Sequence, residues 1–565
     1  MNIFIGAAQL DEDMTSDRRG GEQPTERMIG RLTFCNGSRA VISAAATNLT
    51  GANADFWAIG RLISINTGDK RIVGVVYEMN TTSQLWSDAD LNVIYIKVEL
   101  VGEICDTEDG PQFKTGISSY PYLGAVAHRI RVQDLQAIYT INSGVAVDIG
   151  TLSQDESVAA SVNIDMMLSR HFAILGTTGV GKSSAVSILL RKAVASKPNL
   201  RVLILDPHNE YTSAFSDISE TVDSTCLDLP FWVFRLEEFA DVLFRGRKPM
   251  DGELDILREF IAAAKVRYNT PQTNSISSPL LKRSISADSS GMTSDTPVPY
   301  RMSDLVKIID DELGKLDSKF AKSELRSIMH RLDSMCHDPR FKFMFSRSAI
   351  EDNIDAIIST IFRIPINKKP ITVFQLAGLP SEVVNAVSSV MARMAFDIAM
   401  LSQGKYEILL LCEEAHRYVP QDKSLGFVPT RTAIARIAKE GRKYGAYLGI
   451  VTQRPGELDP TILSQCSTVF AMRLANERDQ DIIKSALSDS SSSTIGFLSS
   501  IGNREAIAFG EAIATPMRMK FEFQTQDHLP KTATGIAEAE RANHQQNVNM
   551  RSIISRMRGS EKGHD

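Results

Sequence analysis

The chain has 565 residues, of which 43% are hydrophobic and 23% charged, and its formal net charge is −6. That length is too great for a single core and predicts roughly three or four domains. The acidic balance argues against a generally basic surface that coats nucleic acid, although DNA bound in a locally basic channel stays compatible with it.

Cysteine usage and hydropathy both point to a cytoplasmic protein. The six cysteines are widely scattered and no two form a Cys-x-x-Cys pair, which predicts reduced thiols without a disulfide or zinc framework. Residues 1–10 lack the basic region of a signal peptide. No stretch approaches the roughly 20 apolar residues of a membrane span, so we expect no membrane association.

The N-terminal part of the chain is predicted to form a small β-barrel. A flexible polar lead covers residues 1–28, and short apolar or alternating runs then recur between turn signals over residues 29–145. Regularly spaced short strands are typical of a barrel. We find no catalytic pattern in this region.

A glycine-rich loop between a predicted strand, 172–175, and a predicted helix is the strongest motif in the chain. It matches the pattern G-x-x-x-x-G-K-[ST], in which backbone N–H groups face a polyphosphate. The expected nucleotide-binding residues are Gly176, Thr177, Thr178, Gly179, Val180, Gly181, Lys182, Ser183 and Ser184. Lys182 should reach the β- and γ-phosphates, and the Ser183 hydroxyl should bind Mg²⁺.

Beyond this loop, continuous apolar strands alternate with helices, which predicts a parallel sheet covered on both faces. The strand 202–205 leads into Asp206 and Glu210. Ligands of such sheets bind at the carboxyl ends of strands, which places these acids near the nucleotide; a capping aspartate in a turn is the alternative for Asp206. Residues 238–360 predict an inserted helical subdomain, and the serine- and proline-rich segment 269–299 predicts a disordered loop within it.

Two further strands complete the predicted ATPase site. The apolar run 408–412 is followed by Glu413 and Glu414. In the expected arrangement the first acid holds Mg²⁺ through water and the second polarises the attacking water. A later apolar strand, 447–452, is followed by Gln453, a candidate sensor of the γ-phosphate.

Phosphoryl transfer also needs a cation against the developing charge, and an arginine from a neighbouring subunit often supplies it. Arg442 and Arg454 are the candidates here. A solvated helix face is an equally good explanation for either residue taken alone.

These motifs together resemble the HerA family of ring-shaped DNA-translocating ATPases, in the FtsK/HerA branch of P-loop motors. The resemblance covers roughly residues 165–475. It is carried by the segment from His171 through the glycine-rich loop, Asp-Pro-His-Asn-Glu-Tyr from Asp206, Glu-Glu-Ala-His-Arg from Glu413, Glu-Gly-Arg-Lys-Tyr-Gly from Glu440, and Thr-Gln-Arg-Pro from Thr452. The sequence departs from the family pattern at Asn209, where glycine is usual.

The resemblance implies an α/β, RecA-like P-loop ATPase core in two parts, 146–237 and 361–525, with the β-barrel before it and a tail at 526–565. It also implies a hexamer of identical subunits with double-stranded DNA in its pore. ATP and Mg²⁺ would be the cofactors. A nuclease or a sirtuin-like effector would be the partner, in DNA end processing or antiphage defence.

Applied residue by residue, the resemblance also assigns roles within the site. Lys182 and Ser183 would bind phosphate and Mg²⁺, and Glu413 would hold the metal through water. Glu414 would activate the attacking water. Gln453 would be the sensor, and Arg442 would be a finger that acts on the neighbouring subunit. An alternative from another class stays open: a ring-shaped ATPase scaffold that assembles or gates a partner effector, with DNA movement secondary. A conjugation or secretion ATPase is a third reading.

Overall fold

The structure is a computed structural model of the chain. It describes residues 28–46, 58–81, 92–108, 110–141, 144–223, 226, 228–269, 291–345, 351–365, 368–486 and 498–530. The predicted flexible lead and most of the predicted C-terminal tail lie outside these residues. The chain divides into two compact units: the first contains Met1–Leu200 and Met391–Phe523, and the second contains Arg201–Val390 and Gln524–Asp565.

The first unit begins with a closed antiparallel β-barrel. Its strands are β1 (Met28–Cys35), β2 (Arg39–Ala46), β3 (Leu62–Thr67), β4 (Lys70–Thr81), β5 (Asn92–Thr107), β6 (Gly110–Thr115) and β7 (Val126–Arg129). They run in the order β2-β1-β7-β3-β4-β5, β2 also pairs with β5, and β6 extends from β5. Alternate side chains such as Ile42, Ile65 and Val98 fill the interior. The predicted barrel is confirmed.

The remaining strands and helices follow in chain order. The strands are β8 (Ala146–Leu152), β9 (Asp155–Asn163), β10 (Phe172–Leu175), β11 (Leu200–Asp206), β12 (Ser219–Val222), β13 (Ile371–Gln375), β14 (Glu407–Glu413), β15 (Ala446–Thr452), β16 (Thr468–Ala471), β17 (Glu505–Gly510) and β18 (Met517–Phe521). The helices are α1 (Val132–Tyr139), α2 (Ile164–Ser169), α3 (Lys182–Ser196), α4 (Leu236–Phe244), α5 (Asp251–Asn269), α6 (Met302–Leu313), α7 (Lys322–His337), α8 (Ile354–Phe362), α9 (Ser381–Leu401), α10 (Val428–Glu440), α11 (Pro460–Leu463) and α12 (Glu477–Ala486).

A mostly buried sheet forms the centre of the first unit, with strands in the order β14-β15-β10-β16-β17-β18-β8-β9. Strands β14, β15, β10 and β16 are parallel, and β17, β18, β8 and β9 continue the sheet antiparallel. Leu175 at the end of β10 pairs with both Thr452 and Ala471. The carboxyl ends of these strands therefore share one edge, which is where ligands bind in parallel sheets.

The second unit contains three parallel strands, in the order β12-β13-β11, together with the helices α4 to α8. Strand β11 is buried along its whole length, as its continuous apolar sequence predicts. This unit groups β11, β12 and β13 with the helices, so the boundaries of the helical insertion at 238 and 360 stay predictions.

The end of the predicted disordered loop is packed. Residues 270–290 lie outside the described part of the chain, but Ser294 is buried and its carbonyl accepts a hydrogen bond of 2.6 Å from Lys265 Nζ. The same ammonium donates to the Thr296 carbonyl at 2.6 Å, and burial lowers the pKa of Lys265 to about 8. The composition of the segment does not predict these contacts, because they come from a lysine 29 positions before Ser294 in the chain.

Helix α9 is long and apolar enough to cross a membrane, and 72% of its most apolar stretch is buried inside the protein. A core helix has the same length and composition as a membrane span, so the pattern does not discriminate between them. It is the one such helix among the residues that the structure describes.

Candidate functional site

The glycine-rich loop follows β10 and wraps around the start of α3. Thr177 donates its backbone N–H to the carbonyl of Arg473 at 3.0 Å, and Lys182 Nζ donates to the carbonyl of Thr177 at 3.0 Å. Gly181 starts the helix with a φ of 105°, which a side chain would strain. A Cβ on Gly176 would lie 2.8 Å from the Cβ of Met472, so no larger residue fits there without movement.

The loop and helix together make an anion-binding cradle. Helix α3 begins directly at Lys182, so the N–H groups of its first turn and the positive end of its dipole point into the loop. The Lys182 side chain is 7% exposed and stays inside this cradle. Backbone N–H groups with a buried ammonium are the donors that a polyphosphate requires.

Two carboxylates stand at the end of β14. Glu413 is its last residue and is 4% exposed; Glu414 is 6% exposed and turns the chain with a φ of 51°. Glu414 leaves the extended conformation, so β14 ends at Glu413. One buried oxygen of Glu414, Oε2, has no hydrogen-bond partner among the described residues. A buried carboxylate oxygen left in this way is costly, and a bound water would satisfy it.

His416 and Thr452 border the Glu414 carboxylate, and the sequence reasoning did not assign them a role. His416 Nδ1 lies 3.3 Å from Glu414 Oε2 and 3.0 Å from Thr452 Oγ1. Burial lowers the pKa of His416, and the Glu414 carboxylate opposes that shift. The signal in the sequence is the Glu-Glu-Ala-His pattern, which places a histidine two residues after Glu414.

Gln453 follows β15 directly and contacts the glycine-rich loop. The Thr178 hydroxyl donates a hydrogen bond to Gln453 Oε1. The structure therefore brings the candidate sensor onto the loop from a neighbouring strand. Glu413 pairs with Val451 in the sheet, so the two acids emerge from the same edge as Gln453.

The two candidate arginines lie at opposite ends of β15. Arg454 follows Gln453 and forms an exposed ion pair of 3.0 Å with Glu457. Arg442 is exposed in the 3-10 turn Gly441–Lys443 before β15 begins. A seven-residue strand spans about 20 Å. Arg442 is thus brought to the edge opposite the glycine-rich loop of its own subunit.

Asp206 caps a turn in the second unit. Its carboxylate accepts the backbone N–H of Tyr211 at 3.0 Å and that of His208 at 3.2 Å, and it is fully buried. Those contacts match the capping alternative. Asn209 has a φ of 57°, a conformation that glycine and asparagine adopt readily, so this departure from the family pattern keeps the shape of the turn.

The residues present fit a magnesium ion. Ser183 and Glu413 offer hydroxyl and carboxylate oxygens, the hard ligands that Mg²⁺ prefers, and Mg²⁺ takes its other ligands from water and phosphate. No group of three or more His, Cys, Asp or Glu side chains able to hold a metal occurs among the described residues. Ser183 and Glu413 would supply the sparse protein ligation expected of a nucleotide-bound ion, with phosphate and water as the other ligands.

Comparisons with known proteins identify related sequences. Residues 147–395 match the family model described as "Helicase HerA, central domain". A DNA double-strand break repair helicase HerA of Pyrococcus furiosus is 26% identical over 431 residues, covering 71% of this chain and 73% of that protein. The protein of the same name in Sulfurisphaera tokodaii is 26% identical over 494 residues, covering 82% of this chain and 88% of the relative.

Solved structures with partial similarity include VirB4 of Thermoanaerobacter pseudethanolicus, which is 15% identical with a TM-score of 0.46. The similarity covers 69% of this chain and 99% of that one. The plasmid coupling protein TrwB in complex with ADP and Mg²⁺ has a TM-score of 0.43 and 12% identity, with coverage of 71% and 95%.

Proposed function

We propose, from its similarity to the HerA proteins, that this chain is a ring-forming ATPase of the HerA family that couples Mg-ATP hydrolysis to movement or remodelling of double-stranded DNA. The proposed compartment is the cytoplasm. The nucleotide site is the one built from the glycine-rich loop, Glu413, Glu414 and Gln453.

One observation carries the proposal: acids, amide and phosphate loop meet at a single sheet edge. Lys182 lies inside the loop, Gln453 accepts a hydrogen bond from Thr178, and Glu414 keeps a buried oxygen free of hydrogen bonds among the described residues. This is the set of groups that phosphoryl transfer to water needs, since catalysis there is mostly positioning and charge stabilisation.

In the proposed mechanism each side chain has one task. Lys182 and the loop N–H groups hold the phosphates, while Ser183 and Glu413 would hold Mg²⁺, which when bound neutralises phosphate charge. Glu414 orients and polarises the attacking water through Oε2, which has no hydrogen-bond partner among the described residues, and His416 Nδ1 lies 3.3 Å from that oxygen. Gln453, which directly follows β15, would contact the γ-phosphate and so connect it to that strand.

The catalytic assignment is tested with Glu414→Gln, which keeps the shape of the side chain and removes its charge. We expect ATP hydrolysis to fall at least about 100-fold, because a general base contributes that much or more. ATP binding, measured by titration, should remain. Glu477→Gln, at an exposed glutamate of α12, is the matched control and should hydrolyse ATP normally. Full activity in Glu414→Gln would refute the assignment.

The DNA part of the proposal is tested on the unmodified protein. Duplex DNA should stimulate ATP hydrolysis, and the stimulation should weaken steeply with salt because phosphate contacts release counterions. Stimulation by an effector protein alone, with no response to duplex DNA, would instead favour the scaffold function. The second result would also support a nuclease or sirtuin-like effector as the partner on which the ATPase acts.

A further inference from the structure

Three segments distant in sequence meet beside the glycine-rich loop. Strand β16 is parallel to β10, β17 is antiparallel to β16, and β18 is antiparallel to β17. The end of β16, the start of β17 and the end of β18 therefore all lie at the edge where the loop leaves β10. The residues at these positions are Arg473, Arg504 and Phe523.

Arg504 packs directly on the loop. Its backbone N–H donates to the carbonyl of Val180 at 2.8 Å, and a Cβ on Gly181 would lie 3.3 Å from Arg504 Cγ. Arg504 has a φ of 64°, which a long side chain rarely adopts. Two hydrogen bonds hold it in that conformation: its carbonyl accepts the backbone N–H of Phe521 at 3.0 Å, and its guanidinium donates to the carbonyl of Phe521 at 2.9 Å.

Phe523 is an exposed aromatic ring stacked on that arginine. The guanidinium carbon of Arg504 lies 3.4 Å from the centroid of the Phe523 ring, and the residue is 82% exposed. The cation covers one face of the ring, so much of the exposed surface is on the other. An open aromatic face that packs on an arginine touching the phosphate loop is suited to stacking with a flat ring.

We propose that Phe523 and Arg504 form the base subsite of the nucleotide site, with a purine ring stacked on the open face of Phe523. The inference rests on the proposed function only in requiring that the loop bind a nucleoside triphosphate. Stacking recognises the π-face of a base without reading its edge, and its strength grows with ring area. The subsite therefore favours purine over pyrimidine nucleotides.

The test compares binding of ATP, CTP and inorganic tripolyphosphate, each with Mg²⁺, to wild-type protein and to Phe523→Ala. Removing the ring should weaken ATP binding about 10-fold, in line with base–aromatic stacking measured by alanine substitution. CTP binding should weaken less, and tripolyphosphate binding should not change, because it has no base. Phe523→Trp should retain tight ATP binding. Tyr122→Ala, which removes another exposed aromatic ring, is the control and should bind ATP as the wild type does.

Unchanged ATP binding by Phe523→Ala would overturn the proposal. Equal weakening of ATP and tripolyphosphate would also overturn it, since the ring would then shape the loop instead of holding a base. If the wild-type protein binds ATP but duplex DNA does not stimulate its ATP hydrolysis, the proposed DNA function is contradicted and the proposed base subsite is not. Failure of the wild type to bind ATP would overturn both.

Discussion

His171 is a buried histidine that joins α10, β15 and the start of β10. Its Nδ1 accepts the backbone N–H of Leu448 at 3.0 Å, so Nε2 carries the proton and donates to the carbonyl of Ala438 at 3.1 Å. Burial lowers the pKa of His171 from 6.5 to about 4, because the charged ring would lose its hydration, and the hydrogen bond that Nδ1 accepts from Leu448 also needs the neutral form. The residue thus holds the segment that leads to Arg442.

This neutral histidine predicts a pH dependence of stability. Between pH 6.5 and pH 4 the unfolded chain binds a proton at His171 and the folded chain does not, so its contribution is present above pH 6.5 and is lost as the pH falls. The change is about 1.4 kcal/mol per pH unit. His171→Asn, which accepts the residue's φ of 58° and does not titrate, should be less stable than wild type at pH 7.

The measurement is the apparent melting temperature of both proteins at pH 7 and pH 5. The difference between them should narrow at pH 5, because wild type alone loses the histidine contribution. A difference that stays constant over this range would show that His171 is not held neutral.

At the scale of elements, β15 organises the site. It lies between β14 and β10 in parallel register, and it has Gln453 at its carboxyl end and Arg442 before its amino end. Gly449 at its centre allows the neighbours to approach: a Cβ there would lie 2.6 Å from Leu411 Cδ1 and 2.8 Å from Phe172 Cζ. The close packing of β15 thereby aligns the strand ends that carry the site.

Gly449→Ala should consequently destabilise the first unit. Overpacking of a close-packed core costs about 1–3 kcal/mol, because side chains or strands must shift. We expect a lower apparent melting temperature and a reduced rate of ATP hydrolysis. Gly314→Ala is the control, since Gly314 has a φ of −71° and its nearest atoms lie at 3.6 Å and beyond. Equal melting temperatures for Gly449→Ala and wild type would contradict the packing argument.

At the scale of the whole molecule, the position of Arg442 bears on assembly. This arginine lies about 20 Å from the edge that carries the loop of its own chain, by the length of β15. A finger role for Arg442 is therefore consistent only with a site in a neighbouring subunit, which is the arrangement expected of a ring with heterologous contacts. Arg454, beside Gln453, has no such separation.

Mixed assemblies test this arrangement. Lys182→Ala and Arg442→Ala should each be inactive alone, the second with normal ATP binding. When the two variants are co-expressed and purified as one assembly, some sites combine an intact loop with an intact Arg442, so hydrolysis should partly return. Arg454→Ala in place of Arg442→Ala is the comparison. No recovery in the first mixture, or recovery only in the second, would remove Arg442 from the finger role.

Much of the fold and part of the site could be predicted because the relevant chemistry is local. A phosphate loop needs glycines, a lysine and a helix start within a few adjacent residues, and Glu413, Glu414 and Gln453 each follow a continuous apolar strand. The barrel followed from its regular short strands and turns. Patterns of this kind can be recognised in a sequence because each depends on the backbone geometry of a few adjacent residues.

By itself, then, the sequence determined the nucleotide loop, the two acids at the end of the strand that became β14, and the order of strands and helices around them. Only the tertiary structure decided that Thr178 contacts Gln453 and that Arg442 lies at the end of β15 opposite the loop. It also decided that Arg504 and Phe523 lie beside the loop. The physical reason is that strand order and direction in a sheet depend on long-range pairing. A residue more than three hundred positions away reaches the loop only because β16, β17 and β18 alternate in direction next to β10.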